Sequence, residues 1–185
     1  MPDDLAVLRA SPVTLGLSDD DLDLLVSRGR VESWPAGAHL AEEGLESPRL
    51  GLILAGEAHV LKRGVDGVEH LLARLGPGAV YGELAFLADT ASSASVVASG
   101  PVRVFSLDRL LVDALIARGD PAAARLSLSL ARVLAGRLAR ANRRIVSLLA
   151  GDEGTVESIE ALQDIQRHLQ WELAEPETPW SGERS

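Results

Sequence analysis

The residues best suited to binding chemistry lie in one short segment, Gly82 to Ser95. Gly82 would let the backbone approach a ligand closely, and residues from Leu84 onward would begin a single helical turn whose first amide groups lack internal acceptors. Three hydroxyl donors follow on the returning chain, at Ser92, Ser93 and Ser95. The segment therefore predicts a small anion site that could hold a phosphate group.

Other kinds of chemistry find little support in the sequence. There are no cysteines, and the four histidines are scattered, without the closely spaced His-x-His and following Glu of a metal-binding β-roll. No Ser-His-Asp arrangement and no phosphate-loop lysine motif is present. We therefore expect no metal, no resident cofactor and no enzyme activity. The four histidines are His39, His59, His70 and His168.

Two different residue patterns precede the C-terminal part of the chain. In residues 1–29 Ser18 can cap a helix, and three aspartates follow it where the helix dipole favours acids. From residue 30 to residue 108, short apolar runs alternate with glycine-bearing turns, which is typical of an all-β roll or sandwich. We expect a helical segment over 1–29 and a β-roll ligand-binding domain over 30–108, with an aliphatic core, since aromatic residues are only 3% of the chain.

Residues 109–150 have a helical period. A short helix over 109–118 ends at Gly119, and a long helix begins near Pro121. The long helix carries a heptad pattern that predicts a seam for homodimerisation. Packing of the same face onto the roll or onto a later helix is the alternative. The seam residues are Ala131, Leu134, Leu138, Ala141, Ile145 and Leu148.

The last part of the chain is acidic. We expect an acidic amphipathic helix over 151–174 and a disordered tail over 175–185. The net charge is −9, which makes the chain a poor candidate for binding nucleic-acid phosphates. No signal peptide and no apolar run of about 18 residues is evident, so we expect a cytoplasmic protein without a membrane span.

Four stretches together resemble the cyclic-nucleotide-binding family, the sensory domain of Crp/Fnr-type regulators, cyclic-nucleotide-gated channels and cyclic-nucleotide-dependent kinases. They are residues 16–22, 34–44, 54–60 and 75–98, and they follow the family's order. The last of them resembles its phosphate-binding cassette. The resemblance covers roughly residues 14 to 145. It implies a mainly β fold with flanking helices, a double-stranded β-helix (β-roll or jelly roll), and a long C-terminal dimer helix.

The resemblance also implies roles for cassette residues. Glu83 would accept a hydrogen bond from a ribose 2′-hydroxyl, with Gly82 and Leu84 beside it, and Ala85 and Ala94 complete the cassette. An arginine on the far arm would pair with the cyclic phosphate.

At the position of that arginine this sequence has Ser93, so the cassette departs from the family pattern. The ligand could still be cAMP or cGMP, it could be a related compound, or the pocket could be empty. Arg74 and Arg103 are candidate substitutes for the missing cation. Arg137 could touch the base of a nucleotide, or it could be a solvated charge beside the seam.

The functional expectation is a stand-alone sensor that acts through contacts with an unknown protein partner. The alternative is a ligand-blind interaction or scaffold dimer that retains only the fold. The 35 residues after Ala150 are too few and too acidic for the winged helix-turn-helix that the resemblance would otherwise imply, so we expect no direct DNA binding.

Overall fold

The computed structural model describes residues 2–149, so the helix expected over 151–174 and the tail expected over 175–185 lie outside the described residues. The helices are α1 (Pro2–Ala10), α2 (Asp19–Arg28), α3 (Glu83–Ala88), α4 (Arg109–Ala117) and α5 (Pro121–Leu149). The strands are β1 (Arg30–Trp34), β2 (His39–Ala41), β3 (Arg49–Ala55), β4 (Ala58–Arg63), β5 (Glu69–Leu75), β6 (Val80–Tyr81), β7 (Ser95–Ala98) and β8 (Val102–Asp108).

The strands form two four-stranded antiparallel sheets, with the orders β1-β8-β3-β6 and β2-β7-β4-β5. The predicted mainly β fold with flanking helices and a long C-terminal helix is confirmed. At the turn between β3 and β4, Gly56 has a φ of +83°, and a Cβ there would lie 2.3 Å from the carbonyl oxygen of Pro101. Only glycine suits this turn, because both the conformation and the space exclude a side chain.

The first sheet is buried on both faces, and the period of two along its strands explains how. On β3, Leu50, Leu52 and Leu54 join the apolar cluster under the helices, whereas Ile53 joins the cluster inside the roll. Strand β8 divides its side chains between the same two clusters. The expected aliphatic core is therefore two clusters that share this sheet.

Helix α2 begins with the predicted cap at Ser18. The Ser18 hydroxyl accepts from the Asp21 amide at 3.2 Å, and the Asp21 carboxylate accepts from the Ser18 amide at 2.8 Å, which is a complete capping box. Asp21 also accepts two hydrogen bonds from the Arg125 guanidinium of α5, at 2.6 and 2.8 Å. The Arg125 hydrogen bonds hold the pKa of the buried Asp21 carboxyl well below its usual range, although burial alone would raise it.

Replacing Asp21 with asparagine should lower the melting temperature at neutral pH by roughly 3–8 °C, because charge-assisted bonds between α2 and α5 are lost. The pKa of Asp21 is lower in the folded protein, so its contribution to the free energy of unfolding is present above the unfolded-state pKa of about 4 and declines at lower pH. The deficit of Asp21→Asn should therefore shrink towards pH 2.5 in thermal denaturation. Asp23→Asn, at an exposed site on the same helix, is the control, and an equal loss in both variants would contradict this assignment.

Pro121 starts α5 as predicted. Ala122, Ala123, Leu126 and Leu130 are buried on this part of the helix. The chain divides into two compact units between Ala135 and Gly136. None of the described helices holds an 18-residue stretch apolar enough to cross a membrane.

The predicted seam of α5 is exposed along most of its described length. Leu138, Ile145 and Leu148 expose 59%, 49% and 71% of their surface. Ala131 and Ala141 are also exposed, and Leu134 is half-buried. Within one copy of the described chain, this face of α5 is therefore available for contact with another element or another molecule.

Candidate ligand-binding site

The cassette begins where β6 ends. Gly82 caps the short helix α3 in a left-handed conformation with a φ of +79°, and a Cβ at this position would lie 2.6 Å from the carbonyl oxygen of Arg49. No other residue suits both the conformation and the space. The structure thus requires glycine here for an approach to strand β3, and the predicted approach of Gly82 to a ligand stays a prediction.

Helix α3 places the expected ligand-binding residues at its start. The first hydrogen bond of the turn runs from the Phe86 amide to the Gly82 carbonyl at 2.9 Å, so the preceding amides have no acceptor within the helix. Glu83 is 7% exposed and Ala85 is 4% exposed, whereas Leu84 is 44% exposed. The structure thus brings a buried carboxyl group and several amide donors to the same turn.

The returning arm, residues 91–95, is held against residues 43–46. The Ser92 amide donates to the Leu45 carbonyl and the Gly44 amide donates to the Ser92 carbonyl, both at 2.9 Å. The Ser95 hydroxyl accepts from the Glu43 amide at 3.0 Å. The Ser95 hydroxyl therefore serves to position the chain.

The structure separates the two adjacent serines of this arm. Ser92 is 7% exposed, and its hydroxyl has no hydrogen-bond partner among the described residues. Ser93 is exposed, and the half-buried Ala94 follows it. A buried hydroxyl without a partner is costly and unusual in a folded protein, so Ser92 is the polar group of the arm that needs an explanation.

Lys62 is a site residue that the sequence reasoning missed. Its Nζ donates to the Glu43 carboxylate at 2.6 Å and to the Ser93 carbonyl at 2.7 Å. The Arg63 amide and the Lys62 ammonium, both hydrogen-bonded to Glu43, lower the pKa of its carboxyl. The signal available in the sequence was alternation, because Lys62 follows Val60 by two residues on β4 and so lies on the strand face that contributes to the roll interior.

The three arginines considered from the sequence are not brought to the returning arm by any described contact. Arg74 lies opposite His59 on the β4–β5 hairpin, with its guanidinium 3.5 Å from Glu57. Arg103 binds Asp4 of α1. Arg137 lies on α5 in the second compact unit, and its role in ligand binding stays a prediction.

A polar connection links the cassette to the following helices. Asp89 caps the C-terminal end of α3 with a φ of +53°, and its carboxylate pairs with Arg109, the first residue of α4. The Arg109 amide also donates to the Pro48 carbonyl at 2.7 Å, and its Nε lies 3.4 Å from Asp113. The end of α3 and the start of α4 are therefore joined directly.

Metal chemistry has no visible basis in this part of the chain. Among residues 2–149, no three His, Asp or Glu side chains converge in a way that could hold a metal ion. The polar groups near the cassette are the Glu83 carboxyl group, the amide donors of α3 and the Lys62–Glu43 ion pair.

Comparison with known proteins identifies what these features are similar to. Residues 31–119 match the family model described as the cyclic nucleotide-binding domain. The cyclic AMP receptor protein of Thermus thermophilus is 32% identical over 127 residues, which are 69% of this chain and 59% of that protein. The chain thus spans less than two thirds of this relative. A solved cyclic nucleotide-binding domain from Methylobacillus flagellatus has a TM-score of 0.70 at 26% identity, over 79% of this chain and 82% of that one.

A third relative is the regulatory subunit of a protein kinase. The regulatory subunit of a cAMP-independent protein kinase A from Trypanosoma brucei has a TM-score of 0.54 at 30% identity, over 57% of this chain and 39% of that one. A triple mutant of that subunit has been solved with cAMP bound in its A site, and one of its substitutions replaces a threonine with arginine. The Thermus relative is named a receptor and the Trypanosoma relative a regulatory subunit.

Proposed function

Because residues 31–119 belong to the cyclic nucleotide-binding domain family, we propose that this protein is a regulatory sensor that binds a phosphate-bearing nucleotide between α3 and the returning arm. One observation carries the proposal. The left-handed Gly82, held against the Arg49 carbonyl, starts a turn that places the buried Glu83 beside amide groups that α3 does not use. A carboxylate acceptor next to amide donors suits a ribose hydroxyl next to a phosphate.

The cassette lacks the arginine that the family resemblance implies, and we propose that its place is Ser92 rather than Ser93. Ser92 is the buried residue of the pair, and its hydroxyl has no partner among the described residues. Ser93 is exposed. The Trypanosoma regulatory subunit supports the view that a relative from a cAMP-independent kinase can bind cAMP as a triple mutant that includes an added arginine.

The proposed output runs through the helices to a protein partner. Binding at α3 would act on α4 through the Asp89–Arg109 pair. A ligand can shift α4 between two positions only by the difference in its affinity for those two positions. The exposed seam of α5 supports a homodimer. The net charge of −9 favours a protein partner over nucleic acid.

A ligand-blind scaffold dimer is the second candidate, and one observation favours it. Lys62 and Glu43 already neutralise each other, and Lys62 also satisfies the Ser93 carbonyl. The fold can therefore hold the charges beside its cassette without a ligand.

Thermal unfolding with a millimolar panel of cyclic mononucleotides, cyclic dinucleotides and linear nucleotides tests the proposal. A ligand at a hundred times its dissociation constant adds about 2.7 kcal/mol to the free energy of unfolding, so the melting temperature should rise by roughly 5–11 °C. Glu83→Gln should reduce the shift. No shift with any compound would favour the scaffold.

A further inference from the structure

A lysine on strand β4, outside the cassette, is a candidate for the cation that binds the ligand's phosphate. We propose that Lys62 of β4 is the anion-binding group of this site and that Glu43 holds its ammonium in place until a phosphate competes for it. This inference rests on the proposed function, since it assumes that the ligand lies against the returning arm. The ligand class is that of the proposed function, a phosphate-bearing nucleotide, and cAMP serves as the probe.

The position of Lys62 supports this role. Ala58 and Val60 lie on the interior face of β4, and Val60 is paired with Val96 of β7. Lys62 continues that face, and one step beyond the Leu61–Ser95 pair it comes level with the returning arm. Its Nζ reaches the Ser93 carbonyl at 2.7 Å. A positive charge is therefore beside the arm from which the arginine is missing.

The hydrogen bonds of Lys62 leave room for a ligand. An ammonium group has three donors, and in the described structure the Glu43 carboxylate and the Ser93 carbonyl take two of them. The third can be given to a phosphate oxygen. The side chain of Lys62 is 45% exposed, so a change of rotamer would cost little.

The Glu43 carboxylate opposes the binding of an anion at Lys62. Its carboxylate also accepts from the Arg63 amide at 3.0 Å, which fixes it beside the ammonium. A phosphate brought to Lys62 would meet this second negative charge, and the two anions repel each other. The same pair that supports the fold without ligand therefore weakens the binding of an anion.

Calorimetric titration with cAMP, adenosine and inorganic phosphate tests the inference. Lys62→Gln should weaken cAMP binding about tenfold and leave adenosine binding within about twofold, because adenosine has no phosphate to lose the charge-assisted contact. Lys62→Arg should retain most of the affinity. Glu43→Gln should strengthen cAMP binding several-fold. Arg63→Gln is the matched control, since the Arg63 side chain is 66% exposed and pairs with Glu69.

The outcomes separate the inference from the proposed function. If the wild type binds cAMP and Lys62→Gln binds it equally well, Lys62 has no such role and the proposed function stands. An equal loss of cAMP and adenosine binding in Lys62→Gln would mean a structural role only, which also overturns the inference. If neither the wild type nor Glu43→Gln nor Ser92→Arg binds cAMP, the role of Lys62 fails. The proposed function fails only if the nucleotide panel also leaves the melting temperature unchanged. Binding by Ser92→Arg alone overturns the role of Lys62 and shows that the cassette is otherwise competent.

Discussion

Replacing Ser92 with arginine should strengthen cAMP binding by about tenfold to a hundredfold, which is the effect of one charge-assisted arginine–phosphate contact of about 1.5–3 kcal/mol. Ser92 is buried and its hydroxyl has no hydrogen-bond partner among the described residues, so the substitution removes no side-chain hydrogen bond. A guanidinium that starts from this position must extend away from the backbone bonds that join Ser92 to Gly44 and Leu45. Calorimetric titration with cAMP measures the gain.

Two variants control this experiment. Ser92→Met adds length without charge and should give no gain, which separates electrostatics from simple filling of space. Ser93→Arg places the charge on the exposed neighbour and should change the affinity by less than about twofold, as expected for a solvated charge. If Ser93→Arg raised the affinity for cAMP and Ser92→Arg did not, the missing arginine would belong at Ser93, as the family resemblance implies, and the burial of Ser92 would not mark its position. All variants should first be compared by melting temperature, because an arginine at a buried site can destabilise the fold.

Replacing Leu138 with glutamate should convert a homodimer into monomers. Leu138 is 59% exposed in the described chain and would be buried at the seam of two α5 helices. Each side chain contributes about 1.5–3 kcal/mol on burial and occurs twice in a symmetric dimer, so the dimer should weaken by at least about a hundredfold. Sedimentation equilibrium should give twice the 19.6 kDa chain mass for the wild type and the single mass for the variant.

Arg143→Glu is the matched control for the seam. Arg143 is an exposed residue of the same helix that does not belong to the heptad positions. The Arg143→Glu variant should keep the dimer mass although it reverses a charge, whereas Ile145→Glu should give monomers, as Leu138→Glu does. A wild type that sediments as a monomer at micromolar concentration would exclude the seam as a dimer interface and would favour its contact with another element or protein.

The sequence alone predicted a β-roll between an N-terminal helical segment and a long C-terminal helix, in the order that the structure has. The location of the ligand site stays a prediction. Short apolar runs between glycine-bearing turns predict the roll, because strands of a few residues joined by tight turns have this pattern. Ser18 and Pro121 mark helix starts for local reasons, a side-chain acceptor and a preset φ angle, that need no tertiary contact. Gly82 was singled out in the sequence for a close approach to a ligand, whereas in the structure its left-handed turn lies against the Arg49 carbonyl, a place that only glycine suits.

Tertiary structure decided which polar residues meet. Lys62 and Glu43 are 19 residues apart, and Asp21 and Arg125 are 104 residues apart, so no local sequence pattern predicts either pair. Adjacent serines look equivalent in the sequence, yet the chain path buries Ser92 and exposes Ser93. Arg74, plausible from the sequence as a phosphate ligand, is directed to Glu57 by its register with His59. Local propensities and periodicity act over a few residues, whereas the charges of a binding site are assembled by strand register and packing, and these exist only in the folded chain.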